Sequence, residues 1–255
     1  MTALTQMQSL NTSRDLSLFE LDRKRILVVT CDSAGAVGPK PFDYVRVNGR
    51  TVGKLTARVA LMEALSVGAT PFGVAVALCV EPQPTGAQIL KGIRGELNYA
   101  SSRPPIILQS SEKNFKVKQT GLGVTVLSIA APESLRMKKC RSGDAVMAIG
   151  TPHVGEEVLR GERNGSISDT RDIQRLLKIP FVHEIIPVGS QGILHEAKIL
   201  AKDSGLKLRL QPEPSIDILK SAGPATVTLC AISNSRSALL RTTIGKGVSA
   251  VGTLR

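Results

Sequence analysis

Three carboxylates stand where this sequence could hold a divalent cation. Asp32 follows the apolar run of LVVTCDSAGAVGPK, Glu63 lies inside GKLTARVALMEALSVGATPF, and Glu112 follows the apolar run of IILQSSEKNF. Acids at the rim of packed elements can bind a divalent metal and, through it, a polyphosphate. The glycine-bearing turn 35–38 offers backbone amides to a phosphate, and Lys40 lies close by. These residue types therefore point to a nucleotide and metal site.

Each acid also has a purely structural interpretation. DSAGAVGPK matches neither the P-loop nor the GxGxxG pattern, and Asp32 would serve equally well to cap the amides of a turn. Glu63 has apolar neighbours, so its charge must be paired, either with Arg58 or Lys54 or with a metal. Glu112 is followed by a lysine, which is an ordinary solvated partner. Local spacing leaves both interpretations open for each acid.

The elements that would position these acids alternate between strands and helices. RILVVTC reads as a buried strand that ends at Asp32, and TVGKLTARVALMEALSVGA reads as a helix that stops at Gly68. PFGVAVALCV is a second strand, followed by a helix from Ala87 to Tyr99 and by the strands PPIILQS and GVTVLSIAA. This order predicts a mixed α/β fold.

A basic connector, PESLRMKKCRSGD, divides the chain into two expected domains, 1–135 and 136–255. The second half contains the strand AVMAIGTP, the helix SDTRDIQRLLKI and the helix GILHEAKILAKDSGL, which stops at Gly205. Two alternating segments, ATVTLCAIS and GVSAVGTLR, read as closing strands. The second domain is therefore expected to be α/β as well.

Composition limits the classes of partner. The chain has 255 residues, is 42% hydrophobic and carries a net charge of 33 − 21 = +12, so it should fold and attract anions such as nucleotides. Only 3% of the residues are aromatic, which disfavours a nucleic-acid binder that stacks on bases. The four cysteines are scattered, which disfavours zinc and disulfides. With no membrane-length apolar stretch and a polar start, we expect a cytoplasmic protein without a membrane partner.

The motifs, taken in order, resemble the aminoimidazole ribonucleotide synthetase superfamily, which includes thiamine-monophosphate kinase, selenophosphate synthetase and hydrogenase maturation proteins. The matching segments are TCDSAGAVGPK, ALMEALSVGATPFGV, SSEKN, TGLGVTVLSIA and SGDAVMAIG. The resemblance implies ATP and Mg²⁺ as cofactors and a homodimer in which the N-terminal sheets pair into a barrel. The implied metal ligands are Asp15, Asp32, Glu63 and Glu112. The implied nucleotide contacts are Asp32, Gly38, Lys40, Glu63, Glu112, Gly121 and Gly123, with Asp32 and Lys40 in catalytic roles.

Two departures from the family pattern bear on the substrate. Serines replace both glycines that precede the third acid of the family, and Pro187 and Val188 stand where many relatives carry an acid in the second domain. Without that acid, the loop is a candidate to bind a neutral or hydroxylated substrate through hydrogen bonds. The candidate residues are Ser190, Gln191 and Gly192. An ordinary capped loop explains VGSQGI equally well.

Several segments resemble one branch of the superfamily, the α-ribazole kinases of cobalamin salvage. They are RDLSLFEL, DSAGAVGPKP, VALMEALSVGA, SSEKNF and HEIIPVGSQGI. This resemblance implies an ATP-dependent kinase that transfers the γ-phosphoryl group to the 5′-hydroxyl of α-ribazole, a small nucleoside. The alternatives are a thiamine-monophosphate kinase-like or aminoimidazole ribonucleotide synthetase-like enzyme, or a nucleotide-binding scaffold without turnover. His183 and His195 are interpreted as packed or surface residues, so the sequence predicts no general base.

Overall fold

Two large β-sheets and a small parallel pair of strands, Val37–Gly38 with Val45–Arg46, with helices packed between and beside the large sheets, form the chain in a computed structural model that describes residues 8–10, 14–100 and 103–255. The strands of the first half are β1 (Gln8–Leu10), β2 (Leu16–Asp22), β3 (Arg25–Gly35), β4 (Val37–Gly38), β5 (Val45–Arg46), β6 (Thr70–Leu78), β7 (Ile106–Ser111) and β8 (Gly121–Ala130). Those of the second half are β9 (Asp144–Gly150), β10 (Val182–Pro187), β11 (Leu208–Leu210), β12 (Val227–Ser233) and β13 (Val248–Leu254). The helices are α1 (Gly49–Ser66), α2 (Ala87–Ala100), α3 (Glu156–Asn164), α4 (Thr170–Leu177), α5 (Gly192–Asp203) and α6 (Ser237–Ile244). None of the helices in these ranges is long and apolar enough to cross a bilayer.

The first sheet has the strand order β1-β2-β3-β8-β6-β7, and only β6 and β7 run parallel. Every second residue of β8 is buried, because one face of the sheet packs on helices and the other does not. Helix α1 lies against β3 and β8, and the Thr30 hydroxyl donates a 2.7 Å hydrogen bond to the Ala60 carbonyl. This contact fixes α1 across the strand that carries Asp32.

The second sheet is antiparallel, with the order β10-β12-β9-β13-β11. Strand β9 is buried along its whole length because both faces of the sheet are covered. Met147 packs into a large core shared with Leu61 of α1, whereas Val146 faces a second core with Ile193 of α5. Because one core contains side chains from both halves, the division at residues 135 and 136 stays a proposal.

Most predicted elements are present, with one change that matters for the site. Strand β3 continues through Asp32 to Gly35, so this acid is paired with Val124 inside a strand and does not emerge at its end. The reason is the length of β8, whose ten residues provide ladder partners for β3 as far as Gly121 opposite Gly35. Gly68 has φ +81° just after α1, as its predicted role as a helix stop requires.

Candidate functional site between the two halves

Three of the predicted acids line one cleft between the two halves of the chain. Asp32 comes from β3, Glu63 from α1, and Asp15 from the segment that leads into β2. All three line a cavity of about 550 Å³, whose opposite wall is the β10–α5 loop with Gly189 and Ser190. The structure therefore brings together three acids, of which the first and last, Asp15 and Glu63, are 63 − 15 = 48 residues apart in sequence.

A fourth acid, Glu196 of α5, reaches the same region and was not predicted from the sequence. It lines a smaller cavity of about 130 Å³ together with Asp15 and Glu63. A Cβ added at Gly189 would lie 3.9 Å from Glu196 Oε1 and 4.0 Å from Asp15 Oδ2. The same cavity is also lined by Ser190, Gln191 and His195. The available signal was helical spacing, because Glu196 lies four residues after Gly192 and so faces the same side of the helix.

Burial and mutual repulsion make these carboxylates hard to ionise. Burial raises the pKa of Asp32 to about 6, with a further contribution from the charge of Asp15. Burial likewise raises the pKa of Glu196 to about 7, again reinforced by Asp15. The pKa of Glu63 is raised well above its usual value by burial, and the guanidinium of Arg14 opposes this shift. A bound cation would favour the ionised form of all three carboxylates and so lower their pKa values.

The carboxylate of Glu63 is the most deeply placed of the group. The residue is only 7% exposed, and its Oε2 has no hydrogen-bond partner among the residues that the structure describes. The proposed salt bridge to Arg58 or Lys54 is wrong, because both cations are paired elsewhere. Arg58 Nη1 lies 2.6 Å from Glu162 Oε2 and its Nε lies 3.1 Å from Glu96 Oε1, and Lys54 also pairs with Glu162. Glu63 therefore has no salt bridge to a cation of its own helix, and the charge of Arg14 offsets only part of the effect of its burial.

The donors of this cleft suit Mg²⁺ in chemistry, although they do not form a complete protein cage. All are carboxylate oxygens, which hard cations prefer. Within the described parts of the chain, no group of three or more Asp, Glu, His or Cys side chains lies close enough to bind a metal. Magnesium usually takes one or two protein carboxylates and completes its shell with phosphate oxygens and water. The unpartnered Oε2 of Glu63 fits that arrangement.

Arg14 fixes the segment that carries Asp15. Its side chain is buried, with Nη2 2.5 Å from Glu184 Oε1 and Nη1 donating a 3.0 Å hydrogen bond to the Ile185 carbonyl. Glu184 also accepts hydrogen bonds from three backbone amides of the connector, at residues 138–140. A buried carboxylate with these partners joins the N-terminal segment, the connector and β10. Sequence reasoning missed this pair because its members are 170 residues apart.

Glu112 lies apart from the other predicted ligands. It follows β7, which is three strands from β3 in the sheet, or roughly 14 Å at about 4.8 Å per strand. Its Oε1 accepts hydrogen bonds from the backbone amides of Asn114 at 2.6 Å and Phe115 at 3.1 Å, and these bonds lower its pKa. The structure therefore does not bring Glu112 together with Asp32 and Glu63 in one chain, and its role as a ligand stays a prediction.

The predicted nucleotide residues thus divide into two groups. Lys40 lies beyond the end of β3 and forms an ion pair with Glu81, which was not predicted. Gly38 packs so tightly that an added Cβ would lie 2.3 Å from Thr120 Oγ1, which accounts for a glycine there. Two further predicted contacts lie in β8 beside the end of β3, Gly121 and Gly123. This second group lies at the strand ends, outside the acidic cleft.

The predicted substrate loop combines two exposed polar residues with a structural glycine. Ser190 and Gln191 are exposed and line the smaller cavity. Gly192 has φ +82°, and an added Cβ would lie 2.9 Å from the carbonyl oxygens of Leu219 and Lys220. Glycine is therefore required at this position for packing, whatever its part in binding. The two histidines interpreted from the sequence as packed or surface residues differ in position. His195 lines the cavity, whereas His183 is packed against Asp144 in the second half of the chain.

An apolar cavity of about 440 Å³ adjoins the acids on the other side of Asp32. It shares Asp32, Gly223 and Pro224 with the larger acidic cavity, so the two cavities adjoin at these residues. Its apolar lining includes Val37, Val47, Val52, Leu55, Val158 and Leu159. A cavity of this size and character suits an uncharged ring system. Asp32 thus stands at the junction of an apolar pocket and an acidic one.

The fold is similar to solved structures along nearly the whole chain. The thiamine-monophosphate kinase from Stenotrophomonas maltophilia K279a matches with a TM-score of 0.64 and 15% identity over 98% of this chain and 90% of that chain. AaThiL complexed with AMPPCP and TMP matches with a TM-score of 0.63 and 14% identity over 95% and 84% of the two chains. Hydrogenase maturation protein HypE in complex with ATP matches with a TM-score of 0.63 and 15% identity over 89% and 76%. No protein-family model and no curated protein matches the sequence.

These likenesses establish the fold class. The chain has the mixed α/β, two-domain fold of thiamine-monophosphate kinase and HypE, which confirms the fold predicted from its motifs. At 14–15% identity, the likeness concerns the fold and not the reaction. What the chain does must be argued from its own cleft.

Proposed function

We propose that this protein is an ATP-dependent phosphotransferase that acts on a small, uncharged nucleoside, with the 5′-hydroxyl of α-ribazole as the acceptor. The observation that carries the proposal is the position of Asp32, between the acidic cavity and the apolar cavity of about 440 Å³. Phosphoryl transfer needs those two surroundings side by side, one for metal-bound phosphates and one for the group that receives the phosphate. The fold shared with a kinase and with an ATP-bound protein supports ATP as the donor.

The residues of the acidic cavity would hold the cation. One or two of the carboxylates of Asp15, Asp32 and Glu63 would bind each Mg²⁺, and the ion would supply positive charge to the β- and γ-phosphates. Arg14 precedes Asp15 in the chain, and its ion pair with Glu184 fixes the segment that carries Asp15. The apolar cavity lies beside Asp32, and a substrate that filled it would exclude water there and strengthen the electrostatic interactions of that carboxylate.

The choice of acceptor follows from charge. Four carboxylates near the cleft disfavour an acceptor that already carries a phosphate, unless cations screen it. The loop opposite offers the hydroxyl of Ser190 and the amide of Gln191, which are neutral hydrogen-bonding groups. The apolar cavity suits an uncharged heteroaromatic base. An uncharged nucleoside agrees with all three features, and thiamine monophosphate agrees less well.

A homodimer formed through the first sheet is part of the same proposal. The face of that sheet turned away from the helices is apolar at its β7 edge, where Ile106 is 81% exposed and Leu108 is 73% exposed. Such an exposed apolar edge strand is a site for association. Light scattering should give a dimer for the wild-type protein, and an Ile106→Lys, Leu108→Lys variant should be monomeric. A monomeric wild-type protein would contradict this part of the proposal.

A substrate panel tests the proposed reaction. The purified protein, ATP and Mg²⁺ are combined with α-ribazole, thiamine monophosphate, an amidine-synthetase substrate or no acceptor, and ADP release and phosphorylated product are measured. We expect ADP and product with α-ribazole, their loss in Asp32→Asn, and normal turnover in the matched control Asp22→Asn, an exposed acid outside the cleft. Preference for thiamine monophosphate would move the protein to the other kinase branch. ATP binding without ADP from any acceptor would identify a scaffold.

A further inference from the structure

We propose that Glu196 of α5 is a cation ligand that the second half of the chain contributes to the cleft, paired with Glu63 of α1. This inference rests on the proposed function and names a ligand that the family resemblance did not supply. The loop 187–192, where many relatives carry an acid, has none in this chain. Glu196 lies one helical turn further on and lines the same cavity as Glu63. The structure thus provides a carboxylate from the second half at a different position.

Glu63 is buried against the cavity without a partner, in the described part of the chain, for one of its carboxylate oxygens. Its side chain is more than nine-tenths buried, it lines both acidic cavities, and its Oε2 has no hydrogen-bond partner among the described residues. A buried, unpartnered carboxylate oxygen costs free energy unless something positive meets it. Lys54 and Arg58 of the same helix pair with Glu162. Arg14, whose charge acts on Glu63 from the wall of the larger cavity, hydrogen-bonds Glu184 and a backbone carbonyl of β10. The cavity in front of Glu63 is therefore where the missing partner belongs.

Glu196 faces the same small cavity as Glu63. Glu196 is 8% exposed and brings a second carboxylate to a space of about 130 Å³, large enough for a hydrated cation. Asp15 is a third acid on the rim, and the remaining lining is neutral apart from His195. Two buried acids facing one small cavity repel each other, and an ion that binds both removes the repulsion.

The loop at Gly189 lies beside both acids. A Cβ at this position would lie 3.9 Å from Glu196 Oε1 and 4.0 Å from Asp15 Oδ2, which is ordinary van der Waals contact. The carboxylates of Glu196 and Asp15 therefore both reach within about 4 Å of one point beside the loop. Two protein carboxylates are the number that Mg²⁺ ordinarily takes when phosphate oxygens complete its shell.

The test measures metal binding without turnover. Mn²⁺ serves as a paramagnetic probe for Mg²⁺, and its affinity is measured by electron paramagnetic resonance with and without the non-hydrolysable nucleotide AMPPCP. We expect Glu196→Gln and Glu63→Gln each to weaken Mn²⁺ binding at least tenfold. The matched control Glu213→Gln, an exposed acid outside both cavities, should bind Mn²⁺ as the wild type does. Wild-type affinity in Glu196→Gln would overturn the inference.

Two further measurements separate ligation from other roles. Glu196→Asp keeps the charge but shortens the side chain, so a true ligand should still lose affinity, whereas wild-type affinity in this variant would overturn direct ligation. Without metal, Glu196→Gln should melt no lower than the wild type, because it removes a repelling charge, and Mn²⁺ should raise its melting temperature less. Loss of Mn²⁺ binding in Asp32→Asn and Glu63→Gln alone would refute Glu196 and leave the proposed function intact. Glu196-dependent binding without ADP release would refute the function and leave the ligand.

Discussion

Replacing Asp32 with asparagine should stabilise the metal-free protein at alkaline pH. The pKa of this carboxyl is raised from 3.8 to about 6, chiefly by burial and then by the charge of Asp15. At about 1.36 kcal/mol per pKa unit, the shift corresponds to roughly 3 kcal/mol of free energy that the ionised form costs the folded state. Because Asp32 is only partly buried, we expect a gain of about 1–3 kcal/mol, or roughly 2–12 °C in melting temperature for a chain of this size.

The sign of the pH dependence follows from the raised pKa. A carboxyl that holds its proton more tightly when folded contributes stability below the unfolded pKa of about 4, and this contribution is lost as the pH rises through about 6. Asparagine does not titrate. The difference between Asp32→Asn and the wild type should therefore be near zero at pH 4 and reach its full size by pH 8. Thermal melts of both proteins across this range measure it.

Asp22 provides a matched control for this substitution. Asp22 is exposed, and its hydrogen bond with Arg25 lowers its pKa, so Asp22→Asn should not stabilise the protein at any pH. An Asp32→Asn protein that melts at or below the wild-type temperature at pH 8 would refute the claim that the buried, ionised Asp32 carboxylate destabilises the folded state. A gain of the same size at pH 4 and pH 8 would show that the effect is not electrostatic.

Three other substitutions test how the cleft is held together. Gly192→Ala should cost more than about 1 kcal/mol and lower the melting temperature, because its Cβ would meet two carbonyl oxygens at 2.9 Å. Arg58→Met should cost about 3–5 kcal/mol in denaturant unfolding, because it leaves Glu96 buried without its guanidinium partner. Glu184→Gln weakens the hold on Arg14, so limited trypsin digestion should cleave after Arg14 faster than in the wild type. Unchanged melting, unfolding or cleavage would contradict each of these expectations in turn.

The elements that position the acids were predictable where one periodic pattern decided the structure. Helix α1 was identified because its apolar residues recur at helical spacing and a glycine, Gly68, follows them, and the structure gives that glycine a positive φ. Strand β10 and helix α3 were not identified. HEIIP has no alternation, since four of its residues are buried on both faces of the sheet, and EEVLRGERN has only two buried positions to show a period. Periodicity carries no information for an element that is buried on all sides or barely buried at all.

The site was predictable only where residue type restricted the alternatives. Glu63 stood out because a carboxylate among apolar helix residues needs a partner. The identity of the charges around it depended on pairings that span the chain, Arg14 with Glu184 and Arg58 with Glu162, and no local pattern encodes these. Glu196 was missed for a related reason, because an acid in the second turn of a helix with polar and charged neighbours is also an ordinary surface residue.

The arrangement of charges explains why the cleft is poor for stability. Arg58 and Arg14 each satisfy buried carboxylates a short distance from the cleft, so this chain pairs buried acids elsewhere in the same core. No ion pair to Glu63, Asp32 or Glu196 forms among the described residues, and burial raises the pKa of all three, although the charge of Arg14 partly opposes the shift at Glu63 and Glu196. The carboxylates of the cleft repel each other, whereas the buried acids near the cleft are paired with arginines. This pattern is expected where a site is arranged for a ligand and not for the folded state alone. A cation that binds there removes the repulsion among these three carboxylates. Its affinity is therefore coupled to the free energy that their ionised forms cost the metal-free protein.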